Sequence, residues 1–195
     1  MRLTILTAAL LAGCVLSAGA QTDAPKAMGQ TAVKQADPAQ AADKMLSSFE
    51  KDFVGAAEAM PADKYNFSPD SLHIQGADFA TVRTFGQQVI HVAQANYSIY
   101  AGVMGSKPKV DVKGLSNLKT KDEILAALKD SFAVAHEAIA TVTPANENDA
   151  AGGGLTKEAL AIYGATHGFD HYGQLVEYLR MNGIVPPASA KPAKE

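Results

Sequence analysis

The stretch TKEALAIYGATHGFDHYGQLVEYLRMNG, Thr156–Gly183, decides how the rest of the chain is read. It opens on a threonine suited to capping a helix and closes on Asn182-Gly183, a pair that ends helices in a left-handed turn. Inside it, His167 and His171 stand four residues apart. At about 100° of turn per residue this spacing stacks both imidazoles on one face, with Cβ atoms roughly 5–6 Å apart, which suits two ligands of a single metal ion. The same face carries Tyr163, Gly164, Gln174 and Tyr178, so polar tips and a glycine flank the histidines where a packing stripe would show Leu or Ile. That pattern reads as a lined pocket. The pair alone is equally compatible with two surface or core histidines, and a third ligand has to come from elsewhere. Gly168, between the two, is expected to cost the helix about 1 kcal/mol relative to alanine.

Working outward, three more helical segments precede this one. Asp37-Pro38 is an N-cap followed by proline at the first helical position, and Met45, Phe49, Phe53 and Ala56 continue at helical spacing until Pro61. The connection to Asp78 holds two prolines and Gly76 and is expected to pack over the end of the bundle and rim a site. His73 lies in it and reads as an exposed loop residue. Helix two is expected from Asp78 or Ala80 to Met104, and from Thr84 to Ser106 it contains no Asp, Glu, Lys or Arg. Gln87, Gln88, His91, Gln94 and Asn96 argue against a membrane span, so it reads as the most buried helix of the bundle. His91 shares a stripe with Thr84, Ala95, Ser98 and Gly102, small neighbours that leave space around the ring. It is either a satisfied core histidine or the missing ligand. After a loop over 105–119, Thr120 and Glu123 form a capping box for helix three. Its buried face is Ile124, Leu125, Leu128, Phe132, Ala135, Ile139 and Val142, with His136 at the edge, half exposed. Pro144 to Gly154 is a turn region. Four helical segments, two long loops, no alternating strand and no internal repeat predict an all-α four-helix bundle over 37–187.

Composition bounds what such a bundle does. The chain has 195 residues, 47% of them hydrophobic, enough for one buried domain with tails. Arg2, the uncharged run Leu3–Leu16 and Ala18-Gly19-Ala20 have the order of an export signal, so residues 1–20 are expected to be removed on secretion or delivery to a periplasm. Leu11-Ala12-Gly13-Cys14 overlaps it as a lipobox, with Cys14 as the alternative lipid anchor. Residues 21–36 read as a flexible tether and 188–195 as a disordered tail. Cys14 is the single cysteine, so a chain cut after Ala20 has no disulfide, no thiol nucleophile and no cysteine ligand. Losing Arg2 takes the formal net charge from −3 to about −4 without any basic cluster, which disfavours nucleic acid.

Three pieces of sequence resemble one family. They are Lys64-Tyr65-Asn66-Phe67-Ser68-Pro69; Arg83-Thr84-Phe85-Gly86 leading to Ile90-His91-Val92-Ala93-Gln94-Ala95-Asn96-Tyr97; and His167-Gly168-Phe169-Asp170-His171-Tyr172-Gly173-Gln174-Leu175 running on to Ile184-Val185-Pro186-Pro187. Over roughly Asp37 to Pro187 the chain resembles the DinB-like (damage-inducible) superfamily of bacterial four-helix-bundle metalloproteins. The resemblance implies a metal triad at His91, His167 and His171, and members have been linked to thiol transfer and related glutathione-like chemistry.

Three neutral imidazoles leave a coordination position open for water or substrate, unlike a closed structural site. Zinc is the first expectation, with nickel, iron or manganese also suited to imidazole. Asp170, Gln174, Tyr97 and Tyr163 are candidates for orienting the ligands or touching a substrate. Two functions of different class follow: a metal-dependent hydrolase or transferase acting on an unidentified small molecule, or an exported metal- or small-ligand-binding protein without turnover. A homodimer is left open.

Overall fold

The computed structural model describes residues 37–190. The expected signal segment 1–20, the tether 21–36 and residues 191–195 of the expected tail lie outside the described residues. The first helix, α1, is Pro38–Ala59, and the Asp37 carboxylate caps it by accepting from the Ala39 N–H at 3.0 Å. Leu46, Phe49, Phe53 and Ala56 recur at helical spacing and are fully buried. Met60 turns to extended backbone ahead of Pro61, whose ring disfavours a helical predecessor.

The second helix, α2, is Phe85–Val103, so it begins well after the expected Asp78 or Ala80. Local chemistry instead starts the helix at Thr84: its hydroxyl accepts from the Gln87 N–H while the Gln87 side chain accepts from the Thr84 N–H. Tertiary contacts hold that start in place. The Phe85 N–H donates to the Phe67 carbonyl and the Gly86 N–H to the Tyr65 carbonyl, both at 2.8 Å, so the incoming loop uses donors that an earlier helical turn would need.

The third and fourth helices, α3 (Lys121–Ile139) and α4 (Lys157–Met181), follow the expected signals. Thr120 and Glu123 form the reciprocal capping box of α3. Thr156 caps α4, which ends where Gly183 takes φ +74° and the Ile184 N–H reaches back to the Leu179 carbonyl. Among the described residues there is no strand, and the fold is an all-α four-helix bundle. No helix among them is long and apolar enough to cross a membrane.

Contacts between helices give the topology. Gly86 meets Ile124 and Asn96 bonds Ser131, so α2 and α3 run parallel. Tyr178 bonds Arg83 and Tyr100 bonds Ala161, so α4 runs antiparallel to α2. His136 meets Asp43 and Glu50 while Lys129 meets Glu58, so α1 is antiparallel to α3. A parallel α2–α3 pair requires its connection to travel back along the bundle, which explains the long loop between them. Gln94 pins that loop to the side of α2, its amide donating to the Val112 carbonyl at 2.8 Å and to the Ser116 hydroxyl at 3.0 Å. The expected tail begins later than residue 188, because Pro187–Ser189 forms a 3-10 turn with Pro187 against Gly55 of α1.

Candidate metal centre

The seam between α2 and α4 brings His91, His167 and His171 together: one ring nitrogen from each lies within 4.8 Å of the others. The ring centroids are 4.7 Å apart for His91–His171 and for His167–His171, and 5.3 Å for His91–His167. The helical repeat supplies the α4 pair, and the antiparallel crossing supplies His91. His171 is buried and the other two are half-buried, so the cluster is open on one side. Among the described residues, no other group of His, Cys, Asp and Glu converges this way.

Close packing is what lets α4 approach. Gly164 lies against the Tyr100 ring, where a Cβ would stand 2.6 Å from the hydroxyl oxygen. Gly168 lies against the Phe49 ring of α1, where a Cβ would fall under 3 Å from three ring carbons. Gly168 is therefore a packing requirement, and the expected helix-stability cost relative to alanine is not the governing effect.

The electrostatics keep all three imidazoles neutral. Burial pushes His171 down to about 4, helped by the neighbouring His167 and His91 and opposed by Asp170. Burial also lowers His91, with Arg83 and His167 adding to it. In His167 burial again dominates, Asp170 pulls the other way, and Arg83 lowers it further. A neutral imidazole has a lone pair to give, which is the form a metal needs. Among the described residues, Nδ1 of His167 and Nδ1 of His171 are buried without hydrogen-bond partners. Such orphans are costly unless something satisfies them, and the donor set fits a divalent ion: three imidazoles can hold zinc with a fourth position free.

Around the cluster the other candidates separate. Asp170 is exposed and accepts from the Gln174 amide at 3.3 Å. Gln174 in turn accepts from the amide of Gln88, buried on α2, so a polar chain Asp170–Gln174–Gln88 ties the helices beside the histidines. Tyr163 lies one turn before His167 with ring centroids 6.1 Å apart. Tyr97 belongs elsewhere: its hydroxyl donates to Asp130 of α3 at 2.5 Å, and it lines a separate cavity with Val134 and Lys107. Six residues beyond His91, it falls on a different face of α2. Tyr178 points its hydroxyl at the Arg83 carbonyl, 3.0 Å away.

Two residues were not singled out by spacing. Gln88 is three positions before His91, so helical geometry offered the signal. Arg83 precedes the cap of α2, and only the fold brings its charge to bear on the histidines. His73 is exposed and ends a short turn with φ +48°. His136 is on the α1–α3 side, its Nδ1 2.5 Å from Asp43 and its Nε2 3.0 Å from Glu50. The structure brings neither to the cluster.

Bundle and cluster together define a class: an all-α helical-bundle protein with three imidazoles, placed by two antiparallel helices, that can hold a metal ion. The family model of the DinB superfamily matches residues 45–175, from within α1 to past both α4 histidines, and the chain belongs to that superfamily. No individual curated protein matches it significantly.

Proposed function

We propose that the protein binds one divalent metal ion, zinc first among the candidates, through His91, His167 and His171, and uses it as a hydrolase or transferase on a small molecule. One observation carries this reading: three neutral imidazoles meet on a half-open seam, two of them with buried, unpartnered nitrogens. When bound, the ion would supply Lewis acidity and lower the pKa of a coordinated water or thiol. The chain's own groups do the rest. The Asp170–Gln174–Gln88 chain holds α4 at a fixed spacing from α2, and the closed side of the cluster excludes water from His171. Arg83 contributes a positive charge that favours an anionic group near the site.

A second reading, metal binding without turnover, is favoured by one feature: Asp170, the carboxylate that acts on His167 and His171, is bonded to Gln174. Export through residues 1–20 is part of the proposal and is supported by the Arg2 start, the apolar run and Ala18-Gly19-Ala20. Metal analysis of protein purified without chelator tests the site. Wild type and His136→Ala are expected to carry about one ion per chain, and each of His91→Ala, His167→Ala and His171→Ala to lose most of it. Equal retention in His91→Ala would take α2 out of the site. Turnover in a screen of esters, amides and electrophiles that vanishes with the ion separates the enzyme from the binding protein. Intact mass of the secreted chain tests export, a lipid-modified Cys14 being the outcome that points to the lipobox.

A further inference from the structure

The α2–α4 seam does not end at the histidines. Toward the C-terminal end of α2 it opens into a trough of about 590 Å³ that, among the described residues, is lined by no charged side chain. Ser98 and Ile99 of α2 form one wall, Leu160 and Tyr163 of α4 the other, and Gly152 and Leu155 of the intervening loop close its end. Two glycines bring the walls this close. A Cβ on Gly102 would stand 3.0 Å from a Leu160 methyl, and Gly152 lies directly against Gly102.

Trough and cluster share the same helix faces. Ser98 is seven residues beyond His91, two turns and roughly 10 Å along the same stripe of α2. On α4, Tyr163 lines the trough and stands 6.1 Å from the His167 ring, so one side chain borders both. Tyr163 is 47% exposed and Leu155 36%, large apolar surfaces left uncovered among the described residues. The Ser98 hydroxyl is already spent on the Gln94 carbonyl at 2.9 Å, so this wall makes little polar demand on an occupant. The volume falls in the range of small-molecule sites. The cavity beside Tyr97 differs on each count, being smaller, bordered by Lys107, Lys109, Asp130 and Glu137, and turned toward α3.

We propose that this trough seats an apolar arm of the small-molecule substrate, whose polar reactive end meets the three-histidine site, so that the preferred substrates are amphiphiles with an acyl- or alkyl-type tail. This rests on the metal reading above and adds the substrate class. The tail lies along Ile99 and Leu160, Tyr163 covers the passage between tail and head, and the loop at Gly152–Leu155 limits tail length.

Straight-chain hydroxamates test it, because the head chelates a metal and the tail is varied alone. Calorimetry is run on the zinc-loaded full chain with acetohydroxamate, butanohydroxamate and octanohydroxamate. Transfer of each methylene from water corresponds to about fourfold in affinity, so partial burial of the octano tail predicts a gain of about tenfold to a hundredfold over butanohydroxamate. Ser98→Trp, which fills the trough from an exposed helix position, and Leu155→Asp, which charges it from a loop, are each expected to abolish that gain and leave acetohydroxamate affinity unchanged. Helicity and unfolding midpoints of both variants establish that they fold. Acetohydroxamate binding with no gain from tail length in wild type overturns the trough and leaves the metal site standing. A gain that survives in both folded variants also overturns it. Zinc-treated protein that binds no acetohydroxamate overturns both readings.

Discussion

Replacing Gly168 by alanine sets two effects of opposite sign against each other. Helix propensity alone favours the substitution by about 1 kcal/mol, because glycine in a helix interior loses more backbone freedom. Packing opposes it. The added methyl would stand under 3 Å from three carbons of the Phe49 ring, far inside ordinary contact. Phe49 is fully buried and cannot swing away, since it packs on Phe53, Phe132 and Phe169 at centroid distances of 5.3, 5.4 and 5.1 Å. Relief therefore has to come from α4 moving off α1, or from a strained ring. Overpacking of this kind costs about 1–3 kcal/mol, and severe overlap against an immobile aromatic belongs at or above the upper end. The net expectation is a loss of about 2 kcal/mol, or about 4–8 °C in Tm for a domain of this size. Urea unfolding of wild type and variant, both stripped of metal, measures it directly. Because Gly168 adjoins His167, metal affinity should fall as well. A variant at least as stable as wild type would show that α4 does not press on Phe49, and the packing account of the site would fail.

Lowered imidazole pKa values predict the acid response. The unfolded chain binds protons near pH 6.5, while burial holds the three clustered histidines below that and His171 at about 4, so through them the metal-free protein should lose stability as pH falls from about 6.5 toward 4. His171→Phe should show a flatter unfolding midpoint over that window, and equal slopes would contradict the assignment. For the same reason few protons should leave the three histidines when zinc binds at pH 7, with release growing only in more acidic buffer; calorimetry in buffers of different ionisation enthalpy reads this. The steep onset near 6.5 expected for free imidazoles moves to lower pH. His136 behaves oppositely: burial pulls it down, but the hydrogen bonds its ring N–H groups donate to Asp43 and Glu50 outweigh this and raise it. Its stabilising contribution is complete below about 6.5 and disappears as pH rises through the raised value, so His136→Asn should differ most from wild type in mildly acidic buffer. A difference that grows with rising pH would reverse that sign. Thr84→Ala should cost about 1 kcal/mol by removing the cap of α2, read from the urea midpoint, and no loss would mean the helix starts elsewhere.

Much of this protein is written in local sequence. Helical periodicity, the caps Asp37, Thr120 and Thr156, and the Asn182-Gly183 stop are short-range chemistry, and they fixed three helices and the stacking of His167 with His171. The start of α2 was also local, in the capping box of Thr84 and Gln87, although the expected start lay earlier, at Asp78 or Ala80. Other features depend on which helices become neighbours, and no single segment contains that information. The antiparallel approach of α2 to α4 sets His91 beside the pair, joins Gln88 to Gln174 and brings Arg83 within electrostatic reach. The parallel α2–α3 contact turns Tyr97 toward Asp130, away from the histidines. Gly168 shows the division most sharply: as a sequence position it is a weak point in a helix, and only the Phe49 ring from α1 makes the missing side chain a condition of the fold.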